Sequence, residues 1–166
     1  MTALSLRRAT EADIPFIIME TERKPGYDQF IGRYSLDEHR AHLANPAFAY
    51  LIGENAGGSA LGFVILMDLN RRDANACVKR IAVASPEKGV GRPLLAGAVD
   101  FAFLETNAHR LWLDVVSGNL RAQTVYRNVG FIQEGVLREA ALLPDGSRSD
   151  FLLMSILRPE WAARRG

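Results

Sequence analysis

Residues 78–95, VKRIAVASPEKGVGRPLL, run from a strand-like apolar segment through Gly89 and Gly91 into a helical stripe. Unpaired backbone N–H groups and the positive end of a helix dipole make such a turn a place for phosphate oxygens. Gly89 and Gly91 let the backbone approach an anion with no Cβ in the way. Taken alone, two glycines before a helix serve equally as a plain structural turn. A P-loop is disfavoured, because no Lys-Ser or Lys-Thr follows the glycines, and a dinucleotide fingerprint would need a third glycine where Leu94 stands. His39 and His42 have a spacing that can hold a metal, but no third ligand accompanies them. They read as the polar face of a helix, and no metal is expected.

Those residues need a fold to position them. The chain has 166 residues and a formal charge of +1, which suits one domain over residues 1–166. A near-zero charge without a basic stripe and interleaved aromatics argues against nucleic acid. The longest apolar runs, at 61–67 and 151–154, fall far short of the roughly 18 residues of a bilayer span, and the N-terminus lacks a secretory layout. Cys77 stands alone, which excludes an intrachain disulfide and fits a reducing, cytoplasmic setting. Periodicity and turn residues place strands at 4–8, 48–54, 61–68, 78–84, 111–116, 131–138 and 150–157. Helices are expected from Thr10, from Ser35 with a capping box to Glu38, at 93–105 and at 119–128. This order specifies a mixed α/β domain.

The glycine turn resembles the pyrophosphate loop of the GNAT superfamily of N-acetyltransferases, [QR]-x-x-G-x-[GA], with Pro86 in place of the leading Gln or Arg. A second stretch, Leu111-x-Leu113-Asp114-Val115-x-x-x-Asn119 followed by Ala122, Tyr126 and Gly130-Phe131, resembles the family's other signature. The matches cover residues 78–138, and the flanking elements fit the family's plan of a mostly antiparallel central sheet with helices on both faces. The run at 135–139 looks like the branch of ribosomal-protein N-terminal and small-amine acetyltransferases.

The resemblance implies acetyl-CoA as cosubstrate and a set of roles. Ile81, Ala82 and Val83 would lend backbone to the pantetheine arm, and an N–H near Val83 would polarise the thioester carbonyl. Lys88, Gly89, Val90, Gly91 and Arg92 would hold the pyrophosphate, with Pro93 removing one N–H. Arg121 and Arg127 would reach toward the adenosine, and Asn119 would cap its helix or touch the pantetheine. Tyr126 would protonate the leaving thiolate. Many relatives carry a glutamate where Cys77 stands, so the proton acceptor falls to Asp114, with Glu20, Glu22 and Glu54 as outsiders.

The acceptor pocket would lie between the loops 23–34 and 139–149. It leaves open a small amine or a peptide N-terminus, reached by direct attack in a ternary complex. The rival reading is a catalytically weak coenzyme-sensing module, motivated by Pro86, Pro93 and Cys77. Pairing of the final strands would give a route to a homodimer.

Overall fold

The computed structural model describes residues 3–86 and 89–166. Seven strands form one sheet in the order β1-β2-β3-β4-β5-β7-β6. They are β1 (Leu4–Arg8), β2 (Ala49–Asn55), β3 (Ala60–Met67), β4 (Asn75–Val83), β5 (Arg110–Val116), β6 (Ile132–Leu142) and β7 (Arg148–Leu157). Every pairing is antiparallel except β4 with β5. A π-helical stretch, Ile14–Met19, leads into α1 (Glu20–Glu22); α2 (Leu36–Leu43), α3 (Gly91–Glu105), α4 (Leu120–Val129) and α5 (Arg158–Arg165) complete the chain.

Alternate residues of the central strands feed two cores, so β2 and β3 read as nearly unbroken apolar runs. Leu51, Val64 and Leu66 pack toward α3 and α4 with Leu94, Leu95 and Ala98. Tyr50, Ile52, Phe63 and Ile65 pack the other way against Ile14, Ile18 and α2. The sheet therefore has an α3/α4 face and an α1/α2 face, and the site passes between them.

Two features open that passage. The parallel pairing of β4 and β5 covers only Asn75 to Cys77 against Arg110 to Trp112. The antiparallel register of β3 with β4 then shifts between Ile65 and Leu66, whose partners are Arg80 and Val78, leaving Lys79 as the extra residue of a bulge. A bulge bends its strand and raises the local twist. β4 thus leaves β5, and Val78, Ile81 and Val83 all remain on the α3/α4 side.

Several boundaries differ from expectation. β4 begins at Asn75, and β6 runs to Leu142 through an irregularity at which Glu139 adopts φ 52° while its N–H donates to Asp150. α5 was not anticipated from sequence. Its signals are local: Pro159 in the first turn and Glu160, whose carboxylate accepts from the Leu157 N–H at 2.9 Å. Trp161 then anchors α5 to α3 by donating to Asp100 at 2.7 Å.

The second helix starts as expected, with Ser35 and Glu38 closing the capping box. The histidine pair on it does not form a polar face. His39 is fully buried, because α2 turns this side onto the sheet, where a carboxylate and a phenol complete its hydrogen bonds.

Candidate active site

Between β4 and β5 lies a cleft of about 900 Å³. Its walls come from both strands, the turn before α3, the first half of α4 and the loop after α1. Register shows which backbone groups face it. The Ala84 N–H donates to the Leu61 carbonyl at 2.8 Å, so Ala82 and Ala84 point their polar groups at β3. In an antiparallel ladder the intervening residues point the opposite way. Ile81 and Val83 therefore turn their N–H and C=O groups into the opening, and the Tyr27 hydroxyl, donating to the Val83 carbonyl at 2.8 Å, occupies one of them. The Lys24 ammonium donates to the Ala84 carbonyl, tying the same loop to the end of β4.

At the far end of β4 the chain turns through Gly89, whose φ of 67° suits glycine. Gly91 opens α3, and a Cβ added there would meet only Val125, at 3.8 Å. Gly89, Gly91 and Arg92 all line the cleft. The N–H groups of Gly91 and Arg92 belong to the first turn of α3 and have no acceptor within the helix, whereas Pro93 contributes none. These groups fit the diphosphate and pantetheine of a coenzyme A thioester. Val90 lies buried beneath the turn, outside the lining, and serves through its carbonyl, which accepts from Leu94 at 3.0 Å. Lys88 falls outside the described residues. Arg127 stands exposed on the outer face of α4, away from the lining, while Arg121, a turn and a half earlier, lines it.

Asn119 caps α4, its side-chain oxygen accepting from the Ala122 N–H at 3.2 Å. Sequence reasoning missed Gln123, which is buried and donates to the Ser117 carbonyl at 2.8 Å, holding the start of α4 to the end of β5. This fixes the helix that carries Tyr126. Tyr126 is 8% exposed, lines the cleft and has no hydrogen-bond partner for its hydroxyl among the described residues. Burial pushes its phenol upward, and the charge of Asp114 adds to that, so it stays a proton donor at neutral pH.

Asp114 sits opposite in character. Leu111, Leu113 and Val115 point into the α3/α4 core, so alternation sends Asp114 toward the α1/α2 face. It is open to the cleft, yet desolvation raises its carboxyl above the usual range, with Lys79 opposing. Cys77 is buried and its thiol is pushed up to about 12 by burial first and Asp114 second, so it fills space as a neutral group. Among the described residues no three His, Cys, Asp or Glu side chains are grouped to hold a metal.

The α1/α2 face also carries a buried polar network that sequence did not disclose. The fully buried Glu22 carboxylate accepts from Arg80 at 2.9 Å, from His39 at 2.9 Å and from Arg23 at 2.6 Å. His39 joins the Tyr50 hydroxyl at 2.8 Å, and the Arg80 guanidinium lies 4.3 Å from the Tyr34 ring centroid. Burial raises the Glu22 carboxyl, but the His39 hydrogen bond and the surrounding charges outweigh it and hold it below the usual range.

The model of the acetyltransferase (GNAT) domain matches residues 3–132. Spermidine N(1)-acetyltransferase of Vibrio cholerae is 28% identical over 170 residues, covering 97% of this chain and 96% of that protein. The putative ribosomal N-acetyltransferase YdaF of Bacillus subtilis is 28% identical over 123 residues, 71% of this chain and 67% of that one. A crystal structure of the Vibrio cholerae spermidine N-acetyltransferase in complex with CoA and spermine superposes with a TM-score of 0.84 at 27% identity, covering 96% of this chain and 98% of the other. Splayed strands, glycine turn and family match agree: the chain belongs to the GNAT acetyltransferases and is an acetyl-CoA-dependent N-acetyltransferase.

Proposed function

We propose that this enzyme acetylates the primary amino group of a small molecule, with Tyr126 and Asp114 dividing the proton work. Acetyl-CoA supplies the activated acetyl thioester. The observation that carries the division is that Tyr126 belongs to the α3/α4 side and Asp114 to the α1/α2 side of one gap, near enough for the carboxylate charge to act on the phenol. The coenzyme fits the α3/α4 side, where the glycine turn and the first turn of α3 lie. An amine entering from the other side meets Asp114 first.

Each group then has one task. The Val83 N–H, facing the gap, donates to the reacting carbonyl oxygen, and a fixed backbone donor of this kind stabilises charge as it develops. Asp114 holds the incoming ammonium and passes its proton to water at the cleft mouth. Tyr126 gives its hydroxyl proton to the departing sulfur and regains one from solvent or from the acceptor side. Cys77 takes no covalent part, because a neutral buried thiol is a poor nucleophile.

Support for a small-molecule acceptor comes from the Vibrio cholerae relative, named for spermidine, and from the apolar side chains Phe30, Ile31 and Phe151 in the cleft lining. The lone Cys77 supports a reducing cytoplasmic compartment, and no helix among the described residues is long and apolar enough to cross a membrane. The test is thiol release from acetyl-CoA across small amines and N-terminal peptides, beside calorimetric coenzyme binding. Release with small amines is expected. Tight coenzyme binding with no release for any amine would leave a sensing module instead.

A further inference from the structure

We infer that the acceptor carries a carboxylate as well as its amine, and that Arg80, reached through the gap left by Gly32, binds that carboxylate. This rests on the acetyl-transfer reading above. It departs from the polyamine chemistry of the Vibrio cholerae relatives.

Arg80 is fixed before any substrate arrives. Its side chain is 5% exposed and lies on the α1/α2 side of β4. Nη1 donates to Glu22 at 2.9 Å, and the plane is braced over Tyr34. The other guanidinium N–H groups have no protein acceptor among the described residues, yet no buried side-chain nitrogen there lacks a partner. The free edge is therefore not sealed from solvent. Both Arg80 and Gly32 line the cleft, and a Cβ added at Gly32 would sit 3.0 Å from Nη2. Gly32 has no positive φ that would demand glycine. The missing side chain leaves Nη2 open to the cleft.

The charge balance specifies what this edge can take. Glu22 is shared among Arg80, His39 and the partly exposed Arg23, so it does not saturate the Arg80 guanidinium. Among the described residues the cleft lining holds one carboxylate, Asp114, and with Arg92 and Arg121 at the coenzyme end the cations left to the acceptor are Lys79 and Arg80. A chain of several ammonium groups would meet like charges there. An amine with a carboxylate at the other end would place its ammonium at Asp114 and its anion at Arg80, where a forked donor suits two oxygens.

The experiment compares kcat/KM for α- and ω-amino carboxylates of graded length, each beside its own carboxamide, and for spermidine. Carboxylates are expected to exceed their carboxamides by about tenfold or more, the usual scale of a charge-assisted hydrogen bond. Gly32→Ala, which caps Nη2 and asks the guanidinium to give by only a few tenths of an ångström, should bring that ratio close to one with coenzyme affinity unchanged. A purely structural role would lower both acceptors alike and preserve the ratio. Calorimetric titration of the CoA-loaded enzyme with the same pairs reads the preference without turnover. Release and binding that ignore the carboxylate, a preference for spermidine, or an unchanged ratio in Gly32→Ala would overturn the inference while leaving acetyl transfer intact. No release with any amine, but selective carboxylate binding, would overturn the catalytic roles and support Arg80.

Discussion

The α3/α4 and α1/α2 faces of the same splayed sheet solve different problems with different materials. On the first, the groups proposed to meet the coenzyme are largely main chain: the polar edge of Ile81 and Val83, the glycine turn and the first N–H groups of α3. On the second, the proposed acceptor end rests on charged side chains from α1, α2 and β4 held around Glu22. Backbone donors tolerate many side-chain changes because every residue carries them, whereas a buried ion network fails when one member is lost. The first face can stay constant across acceptors; the second is where specificity can change.

The largest test of that contrast is Glu22→Gln. Removing one partner from a buried charge network costs about 3–5 kcal/mol, so urea unfolding should move to much lower concentration. Coenzyme affinity of the remaining folded protein should hardly change. The pH dependence follows from the depressed carboxyl. Its stabilisation is fully present above the ordinary value of 4.5 and is lost as pH falls through the lower folded value. The variant should show a flatter stability profile below 4.5 than the parent. Equal acid sensitivity in both would mean that Glu22 is not the anchor of this face.

Tyr126→Phe probes the junction between the faces. It should lower kcat by about 100-fold, at the modest end of general-acid effects, and leave coenzyme affinity within about twofold. Turnover that survives intact would remove Tyr126 from the proton path and leave it a packing residue. Asp114→Asn should act less on rate, by about tenfold in kcat/KM, with a second signature in stability. Because desolvation raises the folded carboxyl, the folded state binds the proton more tightly than the unfolded state does. Ionised Asp114 therefore weighs on the fold above its folded value, and the Asn variant should melt higher at pH 7. That advantage should vanish below the ordinary value of 3.8.

The two faces were also unequally legible in sequence. Gly89, Gly91, Asn119 and Tyr126 lie within two short continuous stretches, so spacing alone sets them on a turn and on successive turns of a helix. The element order, the hairpin around Asn55 to Gly58 and the capping box at Ser35 follow from local chemistry in the same way. Glu22, His39, Tyr50 and Arg80 meet only after four elements fold together, and nothing in a helical period says that His39 faces inward. The bulge at Lys79 is equally hidden, since the strand period before and after it looks regular. Gly32 shows why a glycine outside a turn is informative: a Cβ there would crowd Arg80. α5 had readable signals in Pro159 and Glu160, but its anchor, Asp100, is remote in sequence.

The smallest expected effect separates two roles of Asn119. Its side-chain oxygen already accepts from the Ala122 N–H, a cap worth about 1 kcal/mol, and its place in the cleft lining also sets its amide beside the coenzyme path. Asn119→Asp keeps the accepting oxygen and adds negative charge at the positive end of α4, so stability should hold or rise slightly. It removes the NH₂ donor. If the cap is the whole role, Asn119→Asp should match the parent in coenzyme affinity, whereas Asn119→Ala should lower the melting temperature by a few degrees. Weakened coenzyme binding in Asn119→Asp at unchanged melting temperature would instead give the amide a direct hold on the pantetheine arm. That would add a side chain to a face whose other contacts are mainly backbone, and would weaken the division between the two faces at its edge.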